Sequence, residues 1–264
     1  MLNEFSNMEV LVTGGTRGIG LATARAFAAR GARCTLTYSW GGVHEADIEQ
    51  AFAGCAQPPR MVRADVTDGE ATESVLEMIS REARRIDVFV SNVAQSVTVN
   101  SLEEYDLRTL NKSIQYSAWP LVDYLRRMRG RFSAPPRYVL SYSSAGPDHY
   151  FSGYDVVAAC KAVLETWSRY LSYRLLDEDC RINVIRTEWV ETESAHGVLG
   201  AGGFEFARKY FPETILPPEA VANAAVALCS GLMDAVRGQV ISIDRGSRFF
   251  QNVMYMHDQG RIVT

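Results

Sequence analysis

The chain has 264 residues, with 27 Lys plus Arg against 31 Asp plus Glu and a formal net charge of −4. That balance excludes a strongly basic nucleic-acid binder and a polybasic membrane-surface protein. At 47% hydrophobic and 22% charged residues, the composition is that of a folded globular chain rather than a disordered one or a coiled coil.

Five scattered cysteines (Cys34, Cys55, Cys160, Cys180, Cys229) include no C-x-x-C pair, so they are expected to be free thiols. The N-terminus lacks a basic stretch followed by an apolar one. No apolar run reaches the ~18 residues of a membrane span. A cytoplasmic protein with neither membrane nor nucleic acid among its partners is expected.

Short β-rich runs alternate with helical patterns along the chain. Glu9 to Thr13 reads as a strand that ends in glycines, and the Ala-rich Leu21 to Arg30 as a helix. Cys34 to Tyr38 and Met61 to Ala64 read as the second and third strands. Asp68 to Arg84 has helical periodicity, with an acidic start and a basic end that suit the helix dipole. Ile86 to Val90 is apolar almost throughout, as a strand covered on both faces should be. Leu102 to Arg129 reads as one long helix, with Pro120 as a possible kink. Then come a strand at Arg137 to Tyr142, a long helix at Tyr154 to Leu176, a strand at Ile182 to Ile185, a helix at Pro218 to Leu228 and a strand at Gln239 to Ile243. This alternation predicts one α/β domain over 1–264, a doubly wound parallel sheet with helices on both faces. Only Glu191 to Pro218 breaks the pattern; it carries four glycines and three prolines and reads as a substrate-binding lid.

The segment Thr13-Gly14-Gly15-Thr16-Arg17-Gly18-Ile19-Gly20 joins the first strand to the first helix. Gly14 suits the tight turn, Gly18 the close approach of a pyrophosphate, and Gly20 close packing of helix on strand. The helix N-terminus supplies N–H donors and partial positive charge. The pattern reads as a Rossmann-type dinucleotide site, the alternative being a glycine turn that holds no ligand. Arg17 could face an adenosine 2′-phosphate, or be a solvated surface charge. The second strand ends Thr37-Tyr38-Ser39-Trp40, without an acid for a ribose 2′-hydroxyl. Both features lean toward NADP(H) over NAD(H).

These residues resemble the short-chain dehydrogenase/reductase family over nearly the whole chain. The turn at Thr13 to Gly20 matches its T-G-x-x-x-G-x-G, Asp65-Val66 its adenine-contacting pair, and Ser91-Asn92-Val93-Ala94 its N-N-A-G. Arg237-Gly238-Gln239 and Asp244-Arg245-Gly246 resemble its C-terminal G-Q and D-G-G. The resemblance implies hydride transfer between a nicotinamide cofactor and a substrate carbon. It assigns Gly14, Thr16, Arg17, Gly18, Ile19, Gly20, Ser39, Asp65, Val66, Asn92, Lys161, Val190 and Thr192 to the cofactor. It assigns Ser144, Lys161 and Asn111 to the chemistry, with Asn111 holding a water chain. It also implies a homo-oligomer, commonly a tetramer, and no metal.

One departure bears on the reaction. The family's usual pattern is Tyr-x-x-x-Lys, yet Val157 stands four residues before Lys161. Ser144 lies thirteen residues before Val157, the family's own Ser-to-Tyr spacing, so the register is sound. Tyr154 lies seven residues before Lys161, almost two helical turns, which puts both on one face. This wider spacing resembles the enoyl-acyl-carrier-protein reductases. Hydride delivered to a β-carbon develops charge on the thioester oxygen, farther from the nicotinamide than a ketone oxygen. A stabilising hydroxyl about one turn (~4.5 Å) away matches that geometry.

The leading expectation is an NADP(H)-dependent enoyl-thioester reductase of fatty-acid or polyketide-type lipid metabolism. Its substrate could be a free small molecule or an acyl thioester, on an acyl carrier protein or otherwise. A ketoreductase of specialised metabolism, with Tyr142, Tyr150, His149 or the substrate as proton donor, is the alternative; a non-catalytic NADP(H)-binding protein is a third. Where the family reads P-G-x-V-x-T, this chain reads Thr187-Glu188-Trp189-Val190-Glu191-Thr192. Glu188, Glu191 and Glu193 read as a solvated acidic loop, His196 as a surface residue, and Phe249, Phe250, Tyr255 and His257 as a subunit interface.

Overall fold

The computed structural model describes residues 4–41, 45–250, 253–258 and 260, without the side chains of 199–201, 253, 257 and 258. In chain order the elements are β1 (Glu9–Thr13), α1 (Gly18–Ala28), β2 (Arg33–Tyr38), α2 (Glu45–Ala51), β3 (Arg60–Arg63), α3 (Gly69–Ser80) and β4 (Val88–Ser91). Then follow α4 (Leu107–Ser117), α5 (Trp119–Phe132), β5 (Tyr138–Ser144), α6 (Asp155–Arg174) and β6 (Arg181–Thr187). The last are α7 (Glu193–Tyr210), α8 (Pro218–Cys229), β7 (Val240–Ile243), α9 (Ser247–Phe250) and α10 (Val253–Asp258).

The seven strands form one parallel sheet in the order β3-β2-β1-β4-β5-β6-β7. Strand order reverses between β1 and β4, and there the carboxyl ends open a crevice. Alternation along each strand divides the core. Val10, Val12, Val88 and Val90 face one side with Phe27 of α1 and Val221 of α8. Leu11 and Phe89 face the other, with Leu76 of α3, Leu121 and Tyr124 of α5 and Leu164 of α6. The Phe89 and Tyr124 rings stack at 5.3 Å. Each large side chain buried this fully contributes roughly 1.5–3 kcal/mol.

The long helix expected over 102–129 is three pieces. A 3-10 turn at Leu102–Glu104 precedes α4, whose first turn is capped by the Asp106 carboxylate accepting from the Thr109 N–H. The chain breaks at Ala118 (φ −124°, ψ −46°), and Pro120 sits in the first turn of α5. Proline has no N–H to donate back along a helix and its ring crowds the carbonyl four residues earlier, so it starts a helix and does not continue one. Helix α2 also lies where the sequence reading had placed none.

The glycine-rich 191–218 stretch is mostly helix α7, capped by Thr192, whose Oγ1 accepts from the Ala195 N–H. The C-terminal aromatic residues divide between packed and exposed positions. The Tyr255 ring lies 5.0 Å from Phe250 and 6.1 Å from Phe211, so Phe250 and Tyr255 pack within the chain at the base of α7, while Phe249 is 89% exposed. The side chain of His257 lies outside the described residues. All five cysteines are free thiols. No described helix is long and apolar enough to cross a membrane.

Candidate active site

The crevice above β1 and β4 holds a cleft of about 290 Å³ that runs from the first turn of α1 to the start of α6. Its floor is built by the glycine turn. Gly14 (φ +62°) and Gly18 (φ +54°) take the left-handed conformation, which side chains disfavour. A Cβ on Gly20 would stand 2.4 Å from the Gly14 carbonyl oxygen and 2.6 Å from Asn92 Nδ2. Asn92 holds the turn from the β4 side. Its Nδ2 donates to the carbonyls of Thr13 (3.0 Å) and Gly14 (2.9 Å), and its N–H donates to Thr13 Oγ1 (3.0 Å). Its amide is thus committed to the shape of the turn, across the switch point of the sheet.

At one end of the cleft the Asp65 carboxylate accepts from Ser39 Oγ (3.1 Å), Tyr116 Oη (3.2 Å) and both the N–H and Oγ1 of Thr67 (2.9 and 2.8 Å). Partial burial pushes its pKa up, but these bonds outweigh that and leave it below the usual aspartate value. The Trp40 ring lies 4.8 Å from that of Tyr116. Arg17 reaches over this end, its Nη1 3.1 Å from Glu193 Oε2 at the start of α7.

Tyr154, Lys161 and Ser144 stand at the other end. Tyr154 is the residue before α6 and lines the cleft with Ser144, whose Oγ accepts the Gly146 N–H at 3.3 Å. Burial raises the phenol pKa and the neighbouring Ser144 hydroxyl opposes the rise. Phe151 meets the Tyr154 ring edge-on at 5.9 Å. Lys161 is buried and its Nζ donates to the Tyr142 carbonyl at 2.7 Å. Burial lowers its pKa from 10.5 to about 8, against opposing fields from Cys160 and Glu165. Val157, where the usual tyrosine would stand, lines the cleft and carries no proton.

Of the other candidate donors, Tyr142 lines the cleft but its hydroxyl is committed to α1. Tyr142 is buried with its hydroxyl 2.6 Å from Thr23 Oγ1 on α1. His149 and Tyr150 are exposed and do not line the cleft. Asn111 requires a correction: it is exposed, and it borders a separate depression with Thr67, Arg108 and Lys112. The buried face of α4 carries Ser113 and Ser117, one turn apart, and a residue two positions from Ser113 lies across the helix. Ser117 Oγ accepts the Gln95 N–H at 2.9 Å beside the cleft.

Among the residues assigned to the cofactor, Gly14, Thr16, Arg17, Gly18, Ile19, Ser39, Asp65, Val66, Asn92, Lys161, Val190 and Thr192 all line the cleft. Gly20 lies beneath it as a packing residue. Val190 is buried and bridges to Leu216. The acidic loop is paired rather than merely solvated: Glu191 meets Arg208 and His196, and Glu188 Oε2 accepts from Ser247. His196 is partly exposed, its ring 4.6 Å from Phe204.

Sequence reasoning passed over Tyr116, Phe151 and the charge network beneath the site. Glu165, one turn beyond Lys161, accepts from Ser143 Oγ (2.6 Å) and from two guanidinium nitrogens of Arg186 (3.0 and 2.7 Å). Arg186 also meets Asp148, which Arg248 holds from the C-terminal side at 2.9 Å. A Glu on the buried face of α6 was the available signal, because a buried carboxylate demands a partner.

The turn, with glycines where a Cβ would intrude, fits a pyrophosphate against a helix N-terminus. Asp65 and Lys161, at opposite ends, fit the rest of a nicotinamide dinucleotide. Together the fold and site define a dinucleotide-dependent oxidoreductase. Residues 14–248 match the family described as Enoyl-(Acyl carrier protein) reductase, and the chain belongs to that family, within the short-chain dehydrogenases/reductases. It is 25% identical over 245 residues to the 3-oxoacyl-[acyl-carrier-protein] reductase FabG of Chlamydia trachomatis, covering 91% of this chain and 97% of that one. It is 24% identical over 255 residues to the enoyl-[acyl-carrier-protein] reductase [NADH] FabI of Aquifex aeolicus, covering 89% of each. A short chain dehydrogenase from Burkholderia cenocepacia, solved in complex with NADP, superposes with a TM-score of 0.81 at 20% identity, covering 93% of this chain and 99% of that one. The protein is an NAD(P)(H)-dependent oxidoreductase.

Proposed function

We propose that the enzyme reduces the conjugated C=C of an enoyl thioester, with NADP(H) preferred. The observation that carries this reading is the placement of Tyr154. It lines the Lys161 end of the cleft, whereas the Tyr142 hydroxyl is held by Thr23 of α1, and it stands one turn before the apolar Val157. The dinucleotide, when bound, supplies hydride to the β-carbon. The C=C electron pair moves toward the carbonyl, and negative charge gathers on the thioester oxygen. The Tyr154 hydroxyl, beside Ser144, stabilises that oxygen by donating a hydrogen bond, so that the one proton accompanying the hydride goes to the α-carbon. Protonation at the α-carbon completes the saturated thioester. Buried Lys161, at the same end of the cleft, holds the nicotinamide ribose. Phe151, Trp189 and Val198 form apolar walls suited to an acyl chain. Residues 191–218 act as the lid of a single-domain enzyme, and the acyl group arrives on a carrier protein or another thiol.

NADPH-dependent turnover of mixed 2-enoyl and 3-oxoacyl thioesters, with products identified by mass spectrometry, tests the reaction. A saturated product supports C=C reduction. A hydroxyacyl product supports a ketoreductase, the reading favoured by the relative FabG. Tyr154→Phe is expected to lower the rate roughly 10²–10⁴-fold while leaving dinucleotide affinity intact. Near-full activity in that variant would remove Tyr154 from the chemistry.

A further inference from the structure

We propose that Glu193 restrains the preference for NADP(H) by competing with an adenosine 2′-phosphate for Arg17. The inference rests on the reading of Arg17 as the 2′-phosphate ligand and names the group that regulates it.

The argument begins with charge. Two cations line the cleft among the described residues, Arg17 and Lys161, and Lys161 stands at the far end bonded to the Tyr142 carbonyl. Three carboxylates line it, those of Asp65, Glu188 and Glu193. Asp65 is held by Ser39, Thr67 and Tyr116, and Glu188 by Ser247. Glu193 is held by Arg17.

Geometry places the guanidinium between two elements. Arg17 Nη1 is 3.1 Å from Glu193 Oε2, and 3.8 Å from where a Cβ on Gly41 would stand. Gly41 follows β2, whose end carries Ser39 beside Asp65. The guanidinium thus sits at the mouth of the adenosine end and is already occupied by a carboxylate from the α7 side. A phosphate dianion can engage Arg17 only by replacing Glu193 or by sharing the guanidinium with it. A dinucleotide with a free 2′-hydroxyl leaves the pair intact.

The competition is mild. Side-chain exposures of 56% and 79% put the pair in water, where the phosphate, with more charge and two-pronged geometry, prevails. Removing the competitor should tighten NADPH binding by about two- to five-fold. Displacement also frees the first residue of α7, beside Thr192, which packs over Gly18. Occupancy of the 2′-phosphate site is thereby linked to the start of the lid.

The test is equilibrium binding of NADPH and NADH to the full chain, without substrate, by titration calorimetry. Glu193→Gln is expected to tighten NADPH about two- to five-fold and leave NADH unchanged. Arg17→Gln is expected to weaken NADPH selectively. Glu193→Gln in the Arg17→Gln background should then have no effect, because the competition runs through Arg17. If Arg17→Gln weakens NADPH but Glu193→Gln does not tighten it, the competition is refuted and the 2′-phosphate reading survives. If Glu193→Gln shifts NADPH and NADH equally, or acts equally without Arg17, it is a general field effect and the proposal also fails. If Arg17→Gln leaves the NADPH-to-NADH ratio unchanged, the reading of Arg17 and the competition fall together.

Discussion

Lys161 carries its charge at a thermodynamic cost. Its ammonium is buried and gives one hydrogen bond to a backbone carbonyl, and its pKa falls from 10.5 to about 8. Because the folded-state pKa is the lower one, the unfolded chain binds more protons between about pH 8 and 10.5. This group therefore makes stability rise with pH across that window, and below about pH 8 its penalty is complete. Lys161→Met is expected to be more stable than the parent at pH 7, with the gap narrowing as pH approaches 10, as read from denaturant midpoints of the dinucleotide-free protein. A gap independent of pH would mean that the amine is not held charged in the fold. The residues around Lys161 differ in how far the sequence exposed them. The count back from Lys161 to Val157, and so to Tyr154, held because helix α6 is unbroken from Asp155 to Arg174 and counting along it stays in phase. Counting to Asn111 crossed a loop and a new helix start, and phase was lost.

Elements show the same division. The strands were legible because burial on both faces makes them short apolar runs between turn residues. The break at Ala118 was half legible: Pro120 marked the place, but whether a proline bends or ends a helix depends on what α5 packs against. Helix α7 was hidden by its glycines. Gly197 and Gly202 have open space where a Cβ would stand, so no steric demand placed them there. Each glycine weakens a helix by about 1 kcal/mol relative to alanine, which suits the lid role proposed for α7. Replacing both by alanine is expected to stabilise α7 by roughly 1–2 kcal/mol. Slower amide exchange along α7, tighter dinucleotide binding and lower turnover should follow. Unchanged exchange in the double variant would leave α7 a rigid wall and remove the lid reading.

At the scale of the molecule, the first half of the chain builds the cradle and the second half supplies the chemistry and its cover. All seven strands end by Ile243, so the sheet is complete before the C-terminal segment begins. That segment then packs against residues beside and beneath the site. Ser247 donates to Glu188, Arg248 holds Asp148, and Tyr255 stacks against Phe211 below α7. Asp148 in turn meets Arg186, which is paired with Glu165 one turn beyond Lys161. The C-terminal segment is thus coupled through four charges to the helix that bears Lys161, whereas the glycine turn depends on Asn92 and the β1–β4 pairing. These dependences predict separable losses. A chain ending at Gly246 should keep the circular dichroism of the sheet and helices and should still bind dinucleotide. Turnover should be lost, and α7 should become a site of limited proteolysis as its base loses Tyr255. If the shortened enzyme turns over normally, the charge network below Lys161 holds without Arg248, and the C-terminal segment plays no part in the reaction.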